Sequence, residues 1–565
     1  MTSAALGQML QQAVGLHRSG RVDEAVRGYK KVLRKDACAV GALNLLGLAE
    51  FQLGHLQEAA DALSRAARLN PDLPDIDYNL GRVLQAQGRL EEASAAYQKA
   101  VAKAPRDAGA LINLATVLTE LKRFEVAVPV YRRAVALASP SADLWHNLAN
   151  ALKVLDRYDE ALVAYQHELA LRHDNIEALS SLIYVLNKLD RPEEALSYSR
   201  KLVAAEPSVS DHHLNLANAL AALGRDDEAI AAYDRAIALG TLDVASWNKG
   251  LLLLSSGRFA EGWPLFQSRW KLPENAARSR NYPQPLWRGE RVNGPLMIWG
   301  EQGLGDQILM ASIVPDVAAY ADDIVLEVDH RLVPVFQRSF PHATVVPQLV
   351  ELSQVPIAAH AALGDLPSVL RNDVASFERS AAGYLKADQD RTAEFRERLA
   401  EPGKRIVGLS WASANRKLRQ VKSAGLAELL PLLRLPNCRF IDLQYGDTQL
   451  ERESLAKDSR ISIEHLPDLD LTNDLDGLAA LMSACDAVVT VSNTTAHFAA
   501  ALGRPTYVLL SDGSGLIWYW MKRGDTTPFY AHARLFRKQD TQSWPDLVAN
   551  DVVPRLSEYL ATISE

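Results

Sequence analysis

The chain has 565 residues, is 48% hydrophobic and 23% charged, and carries a formal net charge of −8 at pH 7. That length favours more than one domain, the composition is that of folded globular protein, and the acidic balance excludes a protein built mainly to coat nucleic acid. Cys38, Cys438 and Cys485 lie far apart, with no CxxC pair and no zinc spacing, which speaks against a disulfide framework or a metal site and fits a reducing compartment. The opening MTSAALGQML lacks the charged and apolar regions of a secretion leader, and no apolar run reaches membrane-spanning length. The expectation is a cytoplasmic protein with no membrane span.

From the first residues a repeat runs through the chain. The blocks GRVDEA, GHLQEA, GRLEEA, KRFEVA, DRYDEA, DRPEEA and GRDDEA begin at 20, 54, 88, 122, 156, 190 and 224, so every interval is 34. Pro71, Pro105 and Pro207 fall on the same lattice. This pattern resembles the tetratricopeptide repeat over roughly residues 5–270. Each unit reads as two amphipathic helices joined by a turn at the Gly, Lys or Asp that opens the block. The small column Ala25, Ala59, Ala93, Ala127, Ala161, Ala195 and Ala229 lets neighbouring helices approach, and the pairs must stack to bury both faces. An eighth unit departs from the pattern: Gly262 replaces the alanine, and Trp263, Phe266 and Trp270 add bulk, which suggests docking onto the next domain. Asn79, Asn113, Asn147 and Asn215 also stand at multiples of 34. In this repeat family that position faces the concave groove. A primary amide both donates and accepts, so these four are the candidate acceptor-binding residues, pairing with a peptide backbone whatever its sequence. The alternative is that Asn is simply common at this position in such repeats.

Pro273, Pro283, Pro285 and Pro295 mark a connector, after which short β-rich runs alternate with helical stretches. The strand candidates are PLMIW, DIVLEV, ATVVP, RIVGLSW, RFIDLQ, DAVVTVS and PTYVLLS, and their alternation with helices implies parallel α/β layers. The helical stretch QDRTAEFRERLAEPGK lies between two such sets. The predicted organisation is α plus α/β: repeats over 1–272, a connector over 273–294, and Rossmann-like halves over 295–398 and 399–565 with a cleft between them. Ligands in such sheets bind at the carboxyl ends of the strands.

The glycine-rich stretch WGEQGLGDQI, residues 299–308, follows a strand and precedes a helix. It is neither GxGxxG nor a phosphate loop ending in GK[ST]. It presents backbone N–H groups and Asp306 at a helix N-terminus, where Asp is commonly a cap. Two further loops carry chemistry. GLSWASANRKLRQVKS holds Arg416, Lys417, Arg419 and Lys422. SNTTAHFAAALGRP opens a helix with Ser492, Thr494 and Thr495, an anion site where the helix dipole is positive, and places His497 in the first turn. LQYGD closes another strand.

Together with the ending ARLFRKQDTQSW, these stretches resemble the bacterial tetratricopeptide-repeat glycosyltransferases, whose catalytic domain is similar to that of the ADP-heptose heptosyltransferases and whose layout parallels O-GlcNAc transferase. The resemblance implies a GT-B fold, an inverting mechanism and a nucleotide-sugar co-substrate, usually without a metal or other cofactor. It implies that Asp306 is the general base and that Lys422 neutralises the departing phosphate. It implies that Ser492, Asn493, Thr494, Thr495 and His497 hold the donor phosphates or ribose, with Gly303, Gly305, Trp411 and Gln444 completing the donor-binding set. Many members read Asp-Thr where this chain has Ser492-Asn493-Thr494, which leaves the donor sugar open. Should Asp306 not be the base, His497, His360 and Asp447 are the remaining candidates. The leading expectation is transfer of a sugar to hydroxyls of an acceptor protein recruited by the repeats, flagellin being one such protein by family analogy. The alternatives are a transferase of cell-surface polysaccharide and a scaffold with an inactive transferase domain.

Overall fold

The structure, a computed structural model, describes residues 3–240, 243–276, 278–280, 282–348, 357–378, 382–413, 423–511, 517–539 and 541–563. The chain forms two compact units, Met1–Pro207 and Ser208–Glu565. Every described element before residue 267 is a helix.

In the first unit the helices form antiparallel pairs, such as Pro74–Ala86 with Leu90–Lys103 and Ala142–Val154 with Tyr158–Leu171. The alanine column does what its size allows: Ala25, Ala59, Ala93, Ala127, Ala161 and Ala195 are all fully buried. A second column at the same period, Tyr29, Leu63, Tyr97, Tyr131 and Tyr165, fills the space between the paired helices and is equally buried. Small residues face these rings; a Cβ at Gly81 would stand 2.7 Å from the Tyr97 ring, which only a glycine tolerates without displacement. The turn that joins each pair needs a left-handed residue. Gly20, Gly54 and Gly88 supply it at φ of 80°, 80° and 73°, and Lys122, Asp156 and Asp190 hold the same conformation at 58°, 57° and 55°.

The second unit begins with two more helix pairs, Ser210–Ala222 with Asp226–Leu239 and Asp243–Ser255 with Phe259–Phe266. The last pair packs onto the α/β region through the expected aromatics. Trp263 and Phe266 are buried and meet Trp518 edge-on at 5.4 and 5.8 Å between centroids, the Trp263 indole donates to Arg371 O at 2.6 Å, and Trp270 lies 5.5 Å from Trp299. Arg269, also buried, bridges Glu301 at 3.1 Å and Asp365. The last helix pair thus shares a core with the two sheets of the α/β region.

Both sheets are parallel. The first contains β1 (Leu296–Trp299), β2 (Ile324–Val328), β3 (Ala343–Pro347) and β4 (Ala359–Ala362) in the order β3-β2-β1-β4. The second contains β5 (Arg405–Ser410), β6 (Cys438–Asp442), β7 (Ala487–Val491), β8 (Thr506–Ser511) and β9 (Ala533–Lys538) in the order β6-β5-β7-β8-β9. β4 and β9 are absent from the sequence-based set. The alanine-rich β4, AHAA, has no β-branched residue and reads as helix, yet it is buried along its whole length. β9, ARLFRK, is an edge strand whose charges sit where no further strand pairs. Four helices border the loops of these sheets: α1 (Leu304–Ala311), α2 (Gln389–Leu399), α3 (Leu475–Ala484) and α4 (Thr494–Ala501). α2 and α3 pack together, and one continuous apolar core joins the first sheet to one face of the second.

Candidate functional site

In each sheet the strand order reverses beside a strand that feeds one of the loops singled out by sequence. In the first, the chain runs from β1 through β2 to β3 and returns to place β4 on the other side of β1. In the second, it runs from β5 to β6 and returns to place β7 on the other side of β5. The carboxyl ends at such reversals open a crevice where ligands bind in parallel α/β sheets. β1 leads into residues 300–303 and α1, and β7 leads into Ser492, Asn493 and α4.

Two glycines of the first loop, Gly300 and Gly305, are there for close approach, and none of the three has positive φ. A Cβ at Gly300 would stand 2.8 Å from Gln307 Cδ, and the Gln307 amide closes the loop by donating to Gln302 O at 2.9 Å. A Cβ at Gly305 would stand 2.9 Å from His497 Cδ2. The close approach at Gly305 is therefore to a side chain of the second sheet's helix. α1 and α4 consequently pack against each other, so the two loops meet at one place.

Asp306 is not the helix cap. Gly303 occupies the N-cap of α1, with φ −66° and ψ 170° and no side-chain cap bond, and Asp306 lies three residues on, in the first turn. Its half-buried carboxylate is favoured there by the helix dipole. Its charge reaches two buried phenols. Tyr519 and Tyr530 are both held well above the usual tyrosine range, first by burial and then in part by the Asp306 carboxylate.

His497 sits inside an aromatic cage. Its ring stacks on Trp520 at 4.9 Å, meets Tyr519 edge-on at 4.7 Å, and brings Nδ1 to 3.0 Å from the Tyr530 hydroxyl. The Trp520 indole donates to Ser492 Oγ at 2.9 Å. Thr494 is half-buried, whereas Thr495 is 1% exposed and its Oγ1 makes no hydrogen bond with any described residue.

Asn493, Gln444 and Trp411 tie the second sheet's loops together. Asn493 caps α4 by accepting from Ala496 N, and its amide donates to Ser410 Oγ at 2.8 Å and Ala412 O at 3.1 Å. Gln444 Oε1 accepts from Ser410 Oγ, Trp411 N and Ala412 N at 2.8–3.0 Å. The Trp411 ring is fully buried in the core and its N–H is taken by Glu451. These three, expected among donor-binding side chains, serve to hold the loop ends in register. Lys422 and the competing cations Arg416, Lys417 and Arg419 lie outside the described residues. Of the other candidate bases, His360 is buried within β4, accepts from the Trp299 indole at 3.3 Å and has its pKa lowered by burial, while Asp447 is exposed and caps Gln449 N at 3.0 Å.

The asparagine column is not uniform. Asn79 is buried and donates to Asn44 Oδ1 at 3.1 Å, and Asn113 donates to the Tyr78 hydroxyl at 3.3 Å, each reaching one repeat back. Asn147 and Asn215 are half-buried and make no hydrogen bond through their amides with any described residue. Sequence reasoning missed the cage residues Tyr519, Trp520 and Tyr530. The run WYW at 518–520 and the PFY at 528–530 were a visible signal for all three.

Known proteins give a partial counterpart. Residues 78–142 and 182–243 match the tetratricopeptide repeat family, and residues 47–88 match a TPR repeat family. The protein FlbA of Caulobacter vibrioides is 30% identical over 383 residues, 63% of this chain and 63% of its own length, so the match spans less than two thirds of that relative. Among solved structures, MamA is 23% identical, covering 28% of this chain and 94% of its own, with a TM-score of 0.28. YrrB, described as a TPR protein with an unusual peptide-binding site, is 23% identical, covering 32% and 93%, with a TM-score of 0.30. PilF of Pseudomonas aeruginosa is 20% identical, covering 38% and 95%, with a TM-score of 0.30. The chain thus carries tetratricopeptide repeats followed by parallel α/β sheets. No helix among the described residues is long and apolar enough to cross a membrane.

Proposed function

We propose that the chain is a nucleotide-sugar-dependent glycosyltransferase of GT-B type that acts on hydroxyls of a protein brought to it by the repeats. The observation that carries this reading is the meeting of α1 and α4 through Gly305 and His497. It joins the strand ends beside the two reversal points, one from each sheet, into one place. Such a place suits a two-part substrate. The N-terminus of α4 offers N–H groups and a positive dipole end to donor phosphates. The first turn of α1 offers Asp306 to the acceptor hydroxyl as general base, so that its oxygen attacks the anomeric carbon as the nucleotide leaves. Lys422 completes the reading as the cation for the leaving phosphate, and the repeats, flagellin being one acceptor of the right class, supply the protein partner in a cytoplasmic setting.

A scaffold is the second reading, favoured by one observation: Asn493, Gln444 and Trp411 already spend their polar groups on the protein itself. A thermal-shift screen against UDP-, GDP-, ADP- and CMP-linked sugars separates the two. A ligand that binds only the folded state raises the melting temperature with occupancy. A saturable rise with one donor class supports the transferase; no rise with any of them, followed by no hydrolysis, leaves the scaffold.

A further inference from the structure

The turn that carries Tyr519 and Trp520 is clamped on both sides of a strained residue. Met521 follows Trp520 with φ 59° and ψ 158°, a combination that glycine alone occupies readily. A side chain there persists only where its surroundings hold it. Before the strained bond, the Arg537 guanidinium donates to the carbonyls of Trp520 at 2.7 Å and Met521 at 2.9 Å. After it, Lys522 is fastened to three helices of the last repeats. Its backbone N–H donates to Ser255 O at 2.8 Å, while Nζ donates to Ala221 O at 2.9 Å and pairs with Asp226. Ser255 and Ala221 lie in the last turns of Asp243–Ser255 and Ser210–Ala222, where carbonyls lack partners within the helix, and Asp226 opens Asp226–Leu239. The lysine thus meets two negative helix ends and a carboxylate, and the ion pair is largely shielded from solvent. Beside it lies a cavity of about 380 Å³ bordered by Ser256, Met521 and Arg523. Met521 therefore has room to relax once the clamp is released. The other end of the turn is the site. Trp520 stacks on His497 at 4.9 Å and its indole donates to Ser492 Oγ at 2.9 Å, so it touches α4 and the residue that leads into it.

We propose that Lys522 is a positioning residue: by fastening the far side of strained Met521 to the last repeats, it presses Trp520 onto His497 and Ser492 and so sets the donor end of the site. The positioning stands on the contacts of the turn, and its effect on turnover rests on the transferase reading above. Three consecutive residues, Trp520, Met521 and Lys522, join α4 to helices of the 34-residue lattice. A shift of those helices that draws Asp226 from Lys522 releases the strain, and Trp520 moves with it. The repeats are in this way part of the donor site as well as its protein-binding arm.

The test is proton–carbon correlation on the full chain carrying ring-labelled histidine, with His497→Gln identifying the His497 signal. The stacked indole shifts that signal upfield, and Trp520→Leu gives its position with the indole removed. Lys522→Ala moves the signal toward the Trp520→Leu position. Asp226→Asn, which keeps the shape of the carboxylate and removes its charge, moves it the same way and serves if Lys522→Ala folds poorly. Glycine meets the Met521 backbone angles without strain, so Met521→Gly alone keeps the wild-type signal and, added to Lys522→Ala, restores it. This rescue separates release of strain from simple loss of an ion pair. A His497 signal that stays in place in Lys522→Ala and Asp226→Asn, or a shift that Met521→Gly does not reverse, overturns the proposal. The second readout is hydrolysis of the UDP-, GDP-, ADP- or CMP-linked sugar that raises the melting temperature. Lys522→Ala raises KM for that sugar about tenfold, the worth of one hydrogen bond such as that from Trp520 to Ser492, and Met521→Gly reverses the rise. An unchanged KM beside a shifted His497 signal overturns the link to the donor. If the wild type hydrolyses none of these sugars, the transferase reading falls on that result, while the His497 signal still decides the positioning.

Discussion

Asn79 and Asn147 occupy one position in different repeats but have different work to do. Asn79 reaches back to Asn44, whereas the residue at the matching distance behind Asn147 is Ile112, which cannot hydrogen-bond through its side chain. Asn79→Ala strands the Asn44 amide and is expected to cost about 1–2 kcal/mol of stability in a urea melt. Asn147→Ala leaves the melt within about 0.5 kcal/mol and instead weakens capture of the acceptor protein. Equal losses of stability in the two variants contradict this division. Glu301 gives a second test. Its carboxyl is held above the usual range by burial, against the pull of Arg269, which it shares with Asp365. A raised folded pKa means the folded state binds the extra proton, so the contribution is full at acid pH and is lost as pH climbs through the folded value. Glu301→Gln, neutral at every pH, should therefore gain stability over the wild type as pH rises above the carboxylate range and not below it. A flat difference from about pH 4 to about pH 8, roughly the span of ordinary carboxyl and histidine titration, argues against a buried, proton-holding Glu301. At this scale the sequence showed that Gly305 had to be small, but not which atom required it, because His497 belongs to another sheet.

The turn between paired helices is the element most plainly written in the repeat. Its left-handed residue is Gly in some units, and Lys122, Asp156 and Asp190 in others at φ of 58°, 57° and 55°. A lysine there lacks the local hydrogen bonds that ease Asp into this region, and a Cβ costs about 1–2 kcal/mol. Lys122→Gly removes that strain and gives back part of it as chain entropy. The expected net is a stabilisation of about 0.5 kcal/mol by urea melt, with Asp156→Gly gaining less; a clear loss in Lys122→Gly would mean the turn is not strained. Helices and turns were legible because each repeats the same local chemistry. β4 was not, since four small residues gain strand character only from burial between neighbours. β9 was hidden by its charges, which an edge position permits. The docking role of Trp263 and Phe266 was legible in the bulk of the eighth unit, but Trp518 as their partner was not, because only the tertiary fold brings these rings into contact.

Over the whole molecule, the 34-residue lattice runs unbroken through the point where the compact units divide, between Pro207 and Ser208. Periodicity records which helices stack and carries no mark of which core they join. The last helix pair joins the α/β core through Trp263 and Phe266, and Arg269 just after it bridges Glu301. Trp263→Ala is accordingly expected to cost about 3–5 kcal/mol and to lower the melting transition of the second unit while leaving that of the first in place. A shift confined to the first unit contradicts the shared core. The parallel sheets and their loops were foreseen from alternating apolar runs, and the reversal points at β1 and β5 required the observed strand order. The central claim is that these two loops build one transfer site with Asp306 as its base. Turnover of the best-binding nucleotide sugar by Asp306→Asn tests it most directly. Because Gly303 holds the N-cap, the variant should fold, losing no more than about 1 kcal/mol of helix-dipole stabilisation, and bind the donor normally, while transfer falls by roughly 10²–10⁴-fold, the range for a lost general base. Folded Asp306→Asn that transfers sugar at a near wild-type rate would contradict the claim.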